Sequence, residues 1–426
     1  MAVTFSAWTQ SRPVPSMGTN NGAPKLAFQE WRHFKEGFTP ELVARAVEEN
    51  PTPVSRCLDP FGGSGTTAIA CQFLGIEPVT IEVNPYLADL IDAKLATYDP
   101  DLVVRDLGRV LRLAGQRGET ATLSLPEDAP PTMVEPGVKG RWIFDTAVAT
   151  RLAALQEAIE RLPNQDHQRL FRVLLGGILL DVSNVVVNGK GRRYRRRWQE
   201  RRRDASCVEQ LFSQVVRQAV TDIHRFGARA FLGGTVLRGD ARQRLDDVAT
   251  CDLAVFSPPY PNSFDYTDVY NLELWVLGYL DDRAANRDLR QSTLCSHVQI
   301  DRDYPPSPNG SSVLGEVVGA LHERADGLWH RRIPNMVGGY FADLVAVLST
   351  MRAALHEKGQ VWVVVGDSRY GDVVIPSATI LGQLAGTAGY RTVSVEPFRS
   401  MRSSAQQGGR HELAESLVVL TPVESS

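Results

Sequence analysis

Ser257-Pro258-Pro259-Tyr260 stands directly after the apolar run Leu253-Ala254-Val255-Phe256, an arrangement that presents a rigid turn at the carboxyl end of a buried strand. Two consecutive prolines fix the backbone and remove two N–H donors, so the turn offers carbonyl oxygens as acceptors. Such a site suits an exocyclic amino group. The lone pair of that group is delocalised into its ring, and acceptors on its two protons favour the geometry in which the lone pair can attack. Ser257 Oγ and the Pro258 carbonyl are the candidate acceptors, Pro259 holds the turn rigid, and the Tyr260 ring is suited to stack on a base taken out of a duplex. In isolation, a Pro-Pro turn followed by an aromatic residue reads more readily as a stiff loop with a packing tyrosine.

A second candidate lies upstream in Asp59-Pro60-Phe61-Gly62-Gly63-Ser64-Gly65-Thr66-Thr67. Glycines between a strand and a helix let the backbone approach a ligand and leave helix N–H groups free. The turn lacks a Gly-Lys-Ser/Thr ending, which disfavours a triphosphate-binding loop. Glu82 ends the next strand, where a carboxylate accepts hydrogen bonds from two ribose hydroxyls. The combination permits a nicotinamide cofactor or S-adenosylmethionine, whereas the glycine turn alone is equally well a tight strand-to-helix connection.

The formal net charge is -3, yet positive charge is concentrated in Gly189-Lys190-Gly191-Arg192-Arg193-Tyr194-Arg195-Arg196-Arg197-Trp198-Gln199-Glu200-Arg201-Arg202-Arg203. Lys190, Arg192, Arg193, Arg195, Arg196 and Arg197 are candidate phosphate contacts, and Tyr194 and Trp198 candidates for stacking on bases. A charge run is otherwise a solvated segment.

The elements that must position these groups follow from periodicity. Residues 1–24 are polar and aperiodic and read as a flexible tail. Residues 25–100 carry strand 54–59, a helix from Thr66 to Leu74, strand 77–82 and a helix from Pro85 to Leu95, the opening of a nucleotide-binding α/β sheet. Alternation stops over 101–230, which reads as a mainly helical insertion containing the basic run. It resumes over 231–426 with strands at 234–240, 253–256, 360–367, 391–395 and 415–420. A hydrophobic content of 43% with 22% charged residues belongs to an ordinary globular protein. No segment has the length and apolarity of a membrane span, so a cytoplasmic location is expected. The five cysteines are scattered without a CxxC pair, so neither a disulfide framework nor a metal site is expected.

Together the motifs resemble those of the DNA amino-methyltransferases, the family that makes N4-methylcytosine or N6-methyladenine. The matching pieces are the glycine turn, Glu82, Gly239-Asp240-Ala241 and Ser257 to Tyr260, and the resemblance spans most of 28–100 and 234–420. It implies a Rossmann-like sheet that binds S-adenosylmethionine. Asp59, Phe61, Gly63, Gly65 and Thr66 would belong to the loop around the methionine part, Glu82 would hold the ribose and Asp240 would lie near the adenine. Phe34-Lys35-Glu36-Gly37-Phe38-Thr39-Pro40 looks like the element that closes over the cofactor, which adds Lys35 and Phe38. A serine opening the Pro-Pro-Tyr motif is more typical of cytosine N4 enzymes, and aspartate or asparagine of adenine N6 enzymes. The implied activity is methylation of cytosine N4 in DNA by base flipping, as in restriction-modification or phage defence, with a cognate nuclease as the expected partner. Methylation of adenine N6, methylation of guanine N2 in RNA, and a catalytically silent nucleic-acid-binding subunit stand as alternatives. A separate recognition domain is not found after the last strand, so target recognition is expected in the insertion or in the polar stretch 281–335.

Overall fold

The computed structural model describes residues 2–14, 17–18, 25–32, 37–118, 120–188, 191–262, 264–402 and 412–423. Its strands are β1 (Arg56–Asp59), β2 (Glu77–Glu82), β3 (Val185–Asn188), β4 (Gly191–Tyr194), β5 (Thr235–Arg238), β6 (Cys251–Phe256), β7 (Leu355–Gly366), β8 (Ser368–Tyr370), β9 (Val373–Ile375), β10 (Tyr390–Arg402) and β11 (Glu412–Pro422). Seven of them form one sheet in the order β10-β11-β7-β6-β1-β2-β5. The neighbours from β7 to β5 are parallel, and β11 runs antiparallel to both of its neighbours. This is the expected Rossmann-like α/β sheet.

Both sheet faces are covered, and the side-chain period of two sorts residues between them. Leu253, Val255, Trp362, Val364, Leu417 and Val419 point into one core. Their sequence neighbours Ala254, Phe256, Val361, Val363, Val418 and Leu420 point into the other, where they meet Met336, Tyr340, Phe341 and Leu344 of the helix Ile333–Ala354. The insertion is helical as expected, with helices Pro100–Arg117, Thr146–Glu160, Gln165–Val182 and Cys207–Phe226. Their buried stripes, including Val110, Leu152, Leu155, Phe171, Leu174 and Phe212, belong to the same apolar cluster as Leu253 and Trp362. The insertion therefore shares a core with the sheet.

Two stretches depart from the sequence reading. Residues 5–9 form a short helix inside the expected flexible tail, capped by Thr4, and Trp8 is buried with its ring stacked 4.5 Å from that of Phe73. Phe5 and Trp8 make too short an apolar pattern to announce a helix, yet burying Trp8 removes a large apolar surface from water. Part of the basic run is β4, which pairs with β3 as an antiparallel hairpin.

The chain passes from β1 outward to β2 and β5, then returns to the other side of β1 as β6. Cys57 and Leu58 lie beside Leu253 and Ala254. The residues that leave β1 and β6 thus emerge side by side at the carboxyl edge, where α/β sheets bind ligands.

Candidate active site

The glycine turn is shaped by backbone needs at single positions. Gly63 and Gly65 have φ of 53° and 80°, in the left-handed region. Gly65 caps the helix Thr66–Leu74, and a side chain on Gly62 would run into Thr80 Cγ2. From behind, the buried Lys94 donates to the Ser64 carbonyl at 2.6 Å. Burial draws the Lys94 ammonium down to about 7.

Two acids flank the turn. Glu82 is buried and accepts the Gly63 N–H at 2.7 Å through Oε2 and the Asn84 N–H at 2.8 Å through Oε1. Burial pushes its carboxyl up to about 7, and those two N–H groups oppose the rise. Asp59 accepts the Phe61 N–H at 2.9 Å, and burial pushes it up to about 6.

The Ser257-Pro258-Pro259-Tyr260 turn faces these acids across a cavity of about 370 Å³. Phe38, Asp59, Phe61, Gly63, Thr66, Glu82, Asp240 and Ser257 to Tyr260 all line it. Gly65 lies just behind, in the helix cap. Lys35 and Lys190 lie outside the described residues. Ser257 Oγ donates its single hydrogen to the Val364 carbonyl at 3.0 Å, which leaves its lone pairs as acceptors. Tyr260 Oη donates to Glu415 at 3.0 Å and stands 3.4 Å from Ser257 Oγ. The turn is held at its far side by Tyr370, which donates to the Pro261 carbonyl at 3.1 Å.

The family model described as a DNA methylase matches residues 4–93. Over 439 residues the chain is 24% identical to the Type II methyltransferase M.BsoBI of Geobacillus stearothermophilus, a match covering 90% of this chain and 83% of that protein. Over 460 residues it is 24% identical to the Type II methyltransferase M.AvaI of Nostoc sp. (strain PCC 7120), covering 96% and 89%. Over residues 4–93 the chain resembles the DNA methylases, and over most of its length it is similar to Type II methyltransferases. A solved structure, the rRNA methyltransferase AviRa from Streptomyces viridochromogenes, is 12% identical with a TM-score of 0.28, covering 90% of this chain and 85% of that one.

S-adenosylmethionine is the cofactor that this resemblance implies, and the lining of the cavity fits it. No Lys or Arg is found among the described lining residues, whereas Asp59, Glu82, Asp240 and Glu415 are. A pyrophosphate would meet these acids with no lining cation to balance it, which disfavours a dinucleotide. A positively charged sulfonium and an ammonium suit them, and ribose hydroxyls suit a buried carboxylate. Asp240 is itself oriented by Arg242, whose Nη2 lies 2.6 Å from Asp240 Oδ2 and whose Nη1 lies 2.7 Å from Asp343. Among the described residues no cluster of three or more metal-binding side chains occurs, and no helix is long and apolar enough to cross a membrane.

Sequence reasoning missed part of the wall. Ser292, Thr293, Leu294, Ser296 and His297, from within the polar stretch, line the cavity together with Thr267 and Tyr270, beside Asn262 of the short stretch after the Pro-Pro turn that the sequence offered for positioning a base. Burial draws the His297 imidazole down to about 4, so it is neutral at physiological pH. Asp265 connects the two walls, accepting from Thr267 Oγ1 at 2.6 Å and Arg290 Nε at 2.7 Å. Only three-dimensional pairing joins these residues, so no local pattern announces them.

The basic run divides into distinct environments. Arg195 donates to the Ser183 carbonyl at 3.0 Å and the Leu180 carbonyl at 2.8 Å, satisfying the end of the helix Gln165–Val182. Arg192 pairs with Asp268 at 3.2 Å, in the helix Tyr266–Val269 that follows the Ser257 to Tyr260 turn. Arg193, Arg196 and Arg197 are exposed. Tyr194 stacks on Trp198 with ring centroids 4.9 Å apart, and Trp198 meets Trp142 edge-on at 4.8 Å. These two aromatic side chains, candidates for base stacking, touch each other.

Proposed function

We propose that this methyltransferase methylates the exocyclic N4 of cytosine in DNA, on a base turned out of the duplex. The observation that carries the reading is Ser257, which lines the cavity with its hydroxyl 3.0 Å from the Val364 carbonyl; with the hydroxyl hydrogen given to that carbonyl, the oxygen lone pairs are available as acceptors. Ser257 Oγ and the Pro258 carbonyl would take the two amine protons, which leaves the nitrogen lone pair free to attack. Pro259 stiffens the turn, and the Tyr260 ring stacks on the base. S-adenosylmethionine supplies an electrophilic methyl group when bound. The residues that would hold it are Phe38, Asp59, Phe61, Gly63, Gly65 and Thr66 around its methionine part, Glu82 on its ribose and Asp240 by its adenine. Lys35 remains part of the same proposal from sequence alone.

Serine as the first residue of the motif supports cytosine over adenine. For DNA contact the exposed Arg193, Arg196 and Arg197 are the best supported, with Lys190 added from sequence. Arg192 and Arg195 serve the hairpin's own attachment. Because the hairpin is tied to the helix after the catalytic turn, a duplex held on it would lie close to the cavity mouth. Residues 101–230 and the wall from Ser292 to His297 are the proposed recognition elements, and a nuclease sharing the target sequence is the proposed partner.

The test is incubation of the purified protein with methyl-labelled S-adenosylmethionine and either duplex DNA or RNA, followed by nucleoside analysis. Label in N4-methylcytosine from DNA is expected. Label in adenine, or in RNA alone, would overturn the reading.

A further inference from the structure

Glu415 is a buried carboxylate on the cavity wall that belongs to neither sequence motif. It lies near the start of β11, and because that strand is antiparallel, its start falls on the same edge as the carboxyl ends of β6 and β7. Glu415 pairs in register with Gly366, two residues beyond the Val364 carbonyl that engages Ser257. Its side chain is 3% exposed, and Oε1 accepts the Tyr260 hydroxyl at 3.0 Å. The N-terminal segment covers its other oxygen: a Cβ on Gly18 would come within 2.7 Å of Glu415 Oε2, so only glycine allows this approach.

A buried carboxylate beside an amine that must become cationic has a specific consequence. As the nitrogen gains a methyl group it acquires positive charge before it loses a proton, and a fixed negative charge in a water-poor site stabilises that change more than it stabilises the neutral base. Tyr260 Oη stands between Glu415 and Ser257, at 3.0 and 3.4 Å. The same bond fixes the tilt of the ring that is to stack on the base. We propose that Glu415 is a positioning residue that locks Tyr260 against the target base and supplies the negative charge facing the amine as it is methylated. This rests on the reading of Ser257 to Tyr260 as the amine-holding turn.

The test uses Glu415→Gln, which keeps an acceptor for Tyr260 but removes the charge, and Glu415→Leu, which removes both. Three quantities are measured with the full chain: the single-turnover methylation rate on duplex DNA, the Kd for S-adenosylmethionine by calorimetry, and the fluorescence of 2-aminopurine placed at the target base, which rises when that base leaves the stack. For Glu415→Gln the rate falls by about 10- to 100-fold, in line with loss of one preorganised electrostatic group, while cofactor Kd and flipping signal stay within twofold. For Glu415→Leu the flipping signal falls as well. An unchanged rate in Glu415→Gln, or a loss of cofactor affinity as large as the loss of rate, overturns the charge role. An unchanged flipping signal in Glu415→Leu overturns the positioning role. Should wild-type protein methylate adenine, the cytosine reading fails while these comparisons are still read on the adenine product.

Discussion

Replacing Glu82 by alanine tests the cofactor half of the site. Glu82 is buried at the end of β2 with each oxygen already accepting one backbone N–H, from Gly63 and Asn84. A carboxylate oxygen has a further lone pair to offer, so two ribose hydroxyls can be accepted without breaking either bond. Hydrogen bonds to a charged acceptor contribute about 1.5 to 3 kcal/mol each. Losing two of them raises the Kd for S-adenosylmethionine by roughly 10² to 10⁴. The pH dependence adds a sign. Because burial pushes Glu82 up to about 7, its carboxylate form fills as pH rises from 6 to 8, and wild-type affinity strengthens over that window. The Glu82→Ala variant lacks this component. Calorimetric titration of both proteins at pH 6, 7 and 8 measures the Kd directly. A rise of less than tenfold in the variant, or the same pH slope in both proteins, would refute the assignment.

Other perturbations separate the remaining roles. Tyr260→Ala should lower the methylation rate by 100-fold or so, as expected when one preorganised group is lost, with cofactor Kd nearly unchanged; a variant as fast as wild type removes the stacking role. Neutralising Arg193, Arg196 and Arg197 together should flatten the salt dependence of DNA binding by about 0.9 in log–log slope for each phosphate no longer neutralised, and an unchanged slope removes the hairpin from the interface. Arg195→Gln should instead lower the thermal midpoint while leaving that slope intact. Asp59 and Glu82 are both pushed up by burial, to about 6 and about 7. Their contribution to the stability of the cofactor-free protein is present in acid and is lost as pH rises through those values. Denaturant midpoints that do not fall between pH 5 and 8 relative to an Asp59→Asn, Glu82→Gln double variant would contradict this.

The sheet and both motifs were readable because each depends on local chemistry. Glycines, an acid after a strand and a Pro-Pro turn after an apolar run announce themselves within a few residues. Glu415 was not readable, since its place follows from β11 running antiparallel and pairing Glu415 with Gly366. Arg192 and Arg195 looked like their neighbours in the charge run, and only the folded hairpin directs them to Asp268 and to the helix end. Trp8 was lost in the apparent tail because its partner, Phe73, is far away in the chain. Asp240 was found by motif, while the Arg242 bridge to Asp343 that orients it requires the fold.

On the proposed function, one cavity brings a cofactor and the N4 amine of a DNA cytosine together at Ser257. The most direct test of that reading is nucleoside mass spectrometry of DNA digested from cells expressing either the wild-type protein or Ser257→Ala. Wild-type DNA should contain N4-methylcytosine, and the Ser257→Ala sample should contain little or none, although that variant still binds S-adenosylmethionine. DNA without N4-methylcytosine from the wild-type culture, or equal amounts from both cultures, would contradict the account.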